Sequence, residues 1–401
     1  MANTADDIAA WIVAAGLEGI DQAELVVGYC DRLSTAGVPL WRASVGADTL
    51  HPLVDAQGHR WRIDEGVSAE FYHRASTPER VEEWRSSPWY WMLENNEWEM
   101  RRRVAEGEGT NEFPLLTNLA RAGATDYWAR IIGFGERAGI GGTRGVATSW
   151  TTRAPEGFAQ SHLALVEATL PAFALAFKAT MAADAARTLV TTYLGREPGE
   201  RILRGEIARG QVETVRKVLW FSDLTGFTRI ADTLPREQLL ELLNAYADCL
   251  VRVVEEHGGD VLKFMGDGIL AVFSGVQGDA CRRALDAARA AGSVIMALNS
   301  ERSEAGLPVT GFTVALHEGE VLYGNVGSKE RLDFTVIGPA VNEVSRIQAM
   351  SRSLDQPILI SATFAAACGN QRARLVSVGR YALRGVGRPQ ELFTLDSDVA
   401  A

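Results

Sequence analysis

The stretch VLWFSDLTGFT, residues 218–228, decides the fold. Its apolar run ends at Asp223 and is followed by Thr225-Gly226, so it reads as a buried strand entering a tight turn. Further on, GGDVLKFMGDGILAVF (258–273) alternates in strand fashion on both sides of Gly266-Asp267-Gly268, a hairpin with a carboxylate at its tip. Two strand-end carboxylates, each beside a glycine that admits a ligand to the backbone, form a candidate divalent-cation site. Mg²⁺ and Mn²⁺ suit a few carboxylates completed by substrate phosphates. Either aspartate alone would read as an ordinary turn residue; the rest of the chain gives the pair its weight.

Four segments, FSDLTGFT (221–228), KFMGDGILAVF (263–273), GNVGSKERLDFTVIG (324–338) and VNEVSRIQ (341–348), resemble the class III nucleotidyl cyclases in order and spacing, in particular bacterial adenylate cyclases. The resemblance covers roughly residues 213–395. It implies a ferredoxin-like α+β catalytic domain that converts ATP to 3′,5′-cyclic AMP and pyrophosphate. It also implies Asp223, Asp267 and the Leu224 carbonyl as ligands for two Mg²⁺ or Mn²⁺ ions per active site. Asn342 would position the ribose and Arg346 would meet the charge developing on the phosphate; four residues apart, they share one helix face. Lys263 and Thr335 would read the base. A lysine only donates, which fits adenine N1, and a threonine hydroxyl can accept from the adenine amino group. Guanylate cyclases of the family typically carry Glu and Cys there. The family builds its sites between subunits, so a homodimer with composite sites is implied.

Two departures stand out. Pro339 replaces a common acidic residue, and the expected triphosphate-binding lysine falls close to Gln390, with Arg384 or Arg388 as substitutes. The alternatives are a guanylate cyclase or a catalytically silent nucleotide-binding or dimerisation module. The His257-Gly258-Gly259-Asp260 run suggests a diguanylate cyclase, but no Glu-Phe follows.

The chain has 401 residues with 47% hydrophobic and 23% charged content, an ordinary globular composition with room for two domains. A formal net charge of −11 argues against nucleic acid or an anionic membrane as partner. Cys30, Cys249, Cys281 and Cys368 are scattered, so free thiols are expected. The acidic start lacks a signal-peptide pattern, and Leu163–Met181, interrupted by Glu167, Pro171 and Lys178, reads as no membrane span; a cytoplasmic location is expected.

Residues 1–183 read as a sensory and regulatory domain, 184–212 as a helical linker and 213–401 as the catalytic domain. Within the first, residues 1–35 are helical, Pro39–Val45 and Thr49–Val54 are short strands, and Gly58 is a turn. Strands at Tyr127–Phe134 and Arg144–Thr151 flank a Gly139-Ile140-Gly141-Gly142 turn, and a helix follows over Phe158–Met181. This α/β outline resembles a GAF-type sensory domain with a small-molecule ligand. Trp84, Trp89, Tyr90, Trp91 and Trp98 suggest an aromatic pocket for a small ligand or chromophore, or else a packed core or dimer face, and Arg101-Arg102-Arg103 reads as a solvated face that could also meet an anion. Breaks are expected at Gly195 and Pro198-Gly199 in the linker, whose shift or twist would couple sensor to enzyme.

Overall fold

Small and polar side chains alternate with Ala43 and Val45 along Arg42–Asp48 (β1), which pairs antiparallel with Val54–Arg62 (β2). They belong to a computed structural model that describes residues 2–73, 77–135 and 144–396. The chain divides into two compact units, Met1–Leu189 and Val190–Ala401.

The first unit opens with α1 (Ala2–Glu18) and α2 (Gln22–Thr35), the latter capped by Asp21, whose carboxylate accepts from the Ala23 and Glu24 amides. After β1 and β2 come β3 (Gly66–His73), α3 (Pro78–Arg85), α4 (Pro88–Glu94), β4 (Glu99–Arg102), α5 (Pro114–Arg121), β5 (Asp126–Gly133), β6 (Gly145–Thr152) and α6 (Gln160–Leu194). The sheet runs β3-β2-β1-β6-β5-β4. Ala43, Val45, Trp61, Trp128 and Trp150 form one apolar face with α1, α2 and α6, where Tyr29 stacks on Phe173 at 4.5 Å. Trp41, Met100, Tyr127 and Ala129 gather with Met92 of α4 and Leu116 of α5 on the other.

Several expectations are corrected here. Gly58 is a strand residue paired with Gly46 and Glu70, and the Thr49–Leu53 segment is the connection, because the hairpin register runs straight through the glycine. The aromatic crowd divides: Trp84, Trp91 and Trp98 are exposed, Trp89 and Tyr90 are half-buried with Trp89 packed on the Met92 and Leu116 core, and the buried tryptophans of this unit, Trp41, Trp61, Trp128 and Trp150, lie elsewhere. The arginine triplet is not a solvated face, since Arg101 binds fully buried Asp126 at 2.7 Å and Arg102 reaches Glu112 at 3.3 Å. Helix α6 extends well past Met181 and by length and composition alone is apolar enough to cross a membrane, contrary to the sequence reading. Its Leu163, Val166, Leu170, Phe173 and Phe177 are nonetheless buried in this unit's core. The glycine turn at 139–142 lies outside the described residues.

The second unit contains α7 (Arg196–Leu203), β7 (Val212–Leu224), α8 (Phe227–Thr233), α9 (Arg236–Glu256), β8 (Gly259–Met265), β9 (Gly268–Phe273), α10 (Gln277–Glu304) and β10 (Phe312–Gly327). There follow β11 (Leu332–Ile337), α11 (Pro339–Ala349), α12 (Ser351–Leu354), β12 (Ile358–Ser361), α13 (Ala362–Ala367), β13 (Leu375–Tyr381) and β14 (Gln390–Leu395). The sheet order is β13-β14-β12-β10-β7-β9-β8, with β11 on β10. The core β10-β7-β9-β8 is the strand order of a βαββαβ unit. Alternation along β7 explains why it is central. Val218, Trp220 and Leu224 face α9, α10 and α13, whereas Leu219 packs with Ala340, Val344 and Ile347 of α11. Helices therefore cover both faces. Each fully buried side chain of this kind contributes ~1.5–3 kcal/mol.

Gly195 ends α6 as expected, but Pro198-Gly199 lies inside α7. Pro198 occupies the first helical turn, where its missing N–H breaks no helical bond. Asp260 caps this helix, accepting from the Arg196 amide at 3.1 Å and the Glu197 amide at 2.7 Å.

Candidate active site

Strand β7 carries Asp223 to its C-terminal end, and the two-residue loop between β8 and β9 carries Asp267. Gly266 turns the chain at φ 70°, a left-handed conformation that glycine adopts without strain. Gly268 brings the strands close: a Cβ there would lie 3.1 Å from the Ser222 carbonyl and 3.5 Å from Asp223 Oδ1. The Leu224 amide donates to Asp267 Oδ2 at 3.2 Å. Burial, and then the hydrogen-bonded Asp267 carboxyl beside it, push the Asp223 carboxyl up to about 7, while the Leu224 amide and the Arg352 charge oppose the rise. Two hard oxygen donors held against each other's charge fit a divalent cation. Among the described residues no third His, Cys, Asp or Glu joins them, so further ligands would be backbone or substrate oxygens.

The two base-reading candidates lie at the β8 and β11 strands. Lys263 Nζ binds Asp333 Oδ2 at 2.6 Å. Asp333 stands two residues before Thr335 and so points to the same side of β11. Thr335 is buried opposite Gly324, and its hydroxyl has no hydrogen-bond partner among the described residues. Buried hydroxyls are normally satisfied, so this one is available to a ligand.

Helix α11 begins with Gly338 at φ 143° and Pro339 at the first helical position, where proline is favoured. Asn342 is exposed and Arg346 half-buried. A Cβ on Gly385 would lie 3.4 Å from both terminal nitrogens of Arg346, so the loop carrying Arg384 and Arg388 runs beside that guanidinium. Gln390 begins β14, paired with Tyr381. Among the described residues no hydrogen bond or ion pair joins Asn342 or Arg346 to Asp223 or Asp267. The link between the two groups is indirect: Gln348 Nε2 donates to Thr313 Oγ1 at 2.8 Å, and Thr313 Oγ1 donates to the Asp223 carbonyl at 3.4 Å.

Sequence reasoning missed Asp333, Thr313, Gln348 and Arg352. Asp333 had a signal, an acidic residue two before a candidate base-reading threonine on a strand; the others follow only from packing.

Residues 211–397 match the family model of the adenylate and guanylate cyclase catalytic domain. The second unit is thus a class III nucleotidyl cyclase domain, a metal-dependent lyase family of mixed helices and sheets. The chain is 34% identical over 156 residues to an adenylate cyclase of Anabaena cylindrica, an alignment covering 38% of this chain and 30% of that protein. It is 33% identical over 151 residues to adenylate cyclase 1 of Rhizobium meliloti, covering 37% and 23%. The chain therefore spans less than a third of the length of these two curated relatives. The crystal structure of the adenylyl cyclase CyaB from P. aeruginosa is 27% identical, covers 47% of this chain and 99% of that one, and superposes with a TM-score of 0.42.

Proposed function

We propose that the chain is an adenylate cyclase whose catalytic unit forms 3′,5′-cyclic AMP and pyrophosphate from ATP, and whose first unit, of GAF-like outline, regulates it. The observation that carries the choice of ATP is the pairing of a donor-only Lys263 with the buried, unpartnered Thr335 hydroxyl. Adenine offers an acceptor at N1 and a donor amino group, which match the two side chains; guanine would set its own N1–H donor against the lysine.

Cyclisation needs the ribose 3′-oxygen in line with the α-phosphorus, so positioning and charge stabilisation dominate. Asp223, Asp267 and the Leu224 carbonyl would hold two Mg²⁺ or Mn²⁺ ions, which when bound acidify the attacking hydroxyl and neutralise the triphosphate. Asn342 accepts and donates at the ribose, fixing the angle of attack. Arg346 places a planar fork of donors against the α-phosphate oxygens, with Arg384 or Arg388 available to the departing pyrophosphate. The family resemblance, together with the lack among the described residues of any hydrogen bond or ion pair from Asn342 or Arg346 to the aspartates, supports a homodimer in which each active site takes the aspartates from one subunit and the helix pair from the other. A cytoplasmic location fits an ATP substrate.

The experiment is product formation by the full chain from ATP or GTP with Mg²⁺ or Mn²⁺, beside Asp267→Ala. Cyclic AMP from wild type and none from the variant is expected. Cyclic GMP as the main product overturns the base assignment. If neither nucleotide is cyclised by the full chain or by residues 205–401, the catalytic reading fails.

A further inference from the structure

One face of the first unit's sheet buries a set of polar side-chain atoms that have no hydrogen-bond partner among the described residues. Cross-strand register puts Arg62, Arg42, Thr151, Tyr127 and Arg102 side by side on β2, β1, β6, β5 and β4. Arg60 and Ser44 form part of the next row on the same face. Arg42 is only 6% exposed and Thr151 fully buried. Among the described residues, Arg42 Nη1, Arg60 Nε, Trp41 Nε1 and Thr151 Oγ1 are buried without a hydrogen-bond partner. Arginine and the indole can only donate; the Thr151 and Tyr127 hydroxyls, the latter also buried without a partner among the described residues, can accept but carry no negative charge.

The charges are equally one-sided. Arg60 is held by Glu70, Arg62 by Glu65 at 2.5 Å, and Arg102 by Glu112 at 3.3 Å. Arg153 lies over the Trp41 ring at 3.7 Å and is exposed. Arg42 has no ion pair among the described residues. Burial, then the nearby Arg60, hold its guanidinium below its usual pKa, with Tyr127 and Glu70 giving partial relief. A buried, uncompensated charge is costly, and proteins normally keep one only with a counter-ion. The surroundings are apolar: Trp41, Met100 and Ala129 from the sheet, Met92 and Leu116 from the helices above.

We infer that this face is a binding site for a small organic carboxylate, its anionic end on Arg42 and Thr151 and its apolar body against Trp41, Met100 and Ala129. A single uncompensated guanidinium calls for a monoanion, and a planar carboxylate matches its fork. A phosphate would bring more charge than the site balances and no apolar body. The inference concerns the first unit alone and does not rest on the proposed catalytic activity.

The test uses the full chain, with benzoate as probe and benzamide and inorganic phosphate as comparisons at constant ionic strength. Nine of the ten tryptophans lie before residue 200, so thermal unfolding followed by tryptophan fluorescence reports mainly the first unit. Saturating benzoate is expected to raise the midpoint by about 2–4 °C or more, and benzamide is expected to leave it unmoved. Arg42→Met should abolish the benzoate shift while leaving the ligand-free midpoint unchanged or higher, since it removes an unpaired charge. Thr151→Val, nearly isosteric, should fold as wild type and weaken benzoate binding. No shift with benzoate in wild type overturns the inference. So does an Arg42→Met chain that is less stable without ligand, or a Thr151→Val chain that binds as wild type. A shift with phosphate and none with benzoate overturns the carboxylate assignment.

Discussion

Replacing Asp267 by Asn should make the cation-free catalytic unit more stable, although it removes a residue assigned to the active site. The Asp223 carboxyl rises from 3.8 to about 7, first through burial and then through Asp267. A folded pKa raised above the unfolded one means that the native state holds a proton already lost by the unfolded chain. Stability therefore falls as pH rises through the window from ~4 to ~7, and the full penalty is present above it. Taken in full, a rise from 3.8 to about 7 would cost ~4 kcal/mol, but Asp223 is only half-buried and solvent screening reduces this to ~1–2 kcal/mol. In Asp267→Asn the like charge is gone, so at pH 8 with chelator the gain should be ~1 kcal/mol, vanishing near pH 4. Adding Mn²⁺ or Mg²⁺ should stabilise wild type and leave the variant unmoved. Native-state hydrogen exchange at the β7 and β9 amides reads this unit without interference from the other. A variant equal to or less stable than wild type at pH 8 without metal would refute the reasoning, because the two carboxylates would then not be held against their repulsion.

Asp126→Ala should cost the first unit ~3–5 kcal/mol, since Asp126 is fully buried and accepts from Arg101 and the Phe158 amide; tryptophan-monitored urea unfolding measures it, and a loss below ~1 kcal/mol would discount the ion pair. His317 is buried beside Ser361, and burial holds its pKa at about 4 against the usual 6.5. A depressed histidine gives stability that is lost as pH falls below the unfolded value, so between pH 6.5 and 4 wild type should lose ~2–3 kcal/mol relative to His317→Gln. Parallel slopes for the two proteins would contradict a neutral buried imidazole. Mixing inactive Asp223→Ala and Arg346→Ala chains should restore activity through one intact composite site per heterodimer; no recovery in a mixture shown to exchange subunits excludes shared sites.

The catalytic unit was more legible than the first because its signals are local. An apolar run ending in Asp-Leu-Thr-Gly, and Gly-Asp-Gly between alternating strands, specify turns that only a few backbone shapes satisfy, and the structure supplies those turns. The first unit offered density of one residue type instead. Aromatic crowding over 84–98 says nothing about which side of an element each ring faces, and three of those tryptophans are exposed. Gly58 misled for a related reason. Glycine signals a turn when its neighbours do not pair, but here Gly46 sits opposite, and two glycines facing each other extend a strand pair as readily as they end one.

What the sequence could not reveal at the active site is long-range electrostatics. Lys263 and Asp333 are seventy residues apart in sequence, yet their 2.6 Å contact changes what the lysine can do. A lysine already bonded to a carboxylate loses rotational freedom, so its remaining donors are restricted in direction. The same carboxylate stands two residues from the unpartnered Thr335 hydroxyl on the same side of β11. In the proposed reading, base selection also depends on β8 presenting Lys263 to Asp333 of β11, although β8 pairs with β9 and β11 with β10. Asp260, whose Gly-Gly-Asp setting suggested a different chemistry, works in a similar way. Its carboxylate caps α7 from the start of β8, the strand that carries Lys263. One short strand therefore both supplies the cap of α7 and carries Lys263.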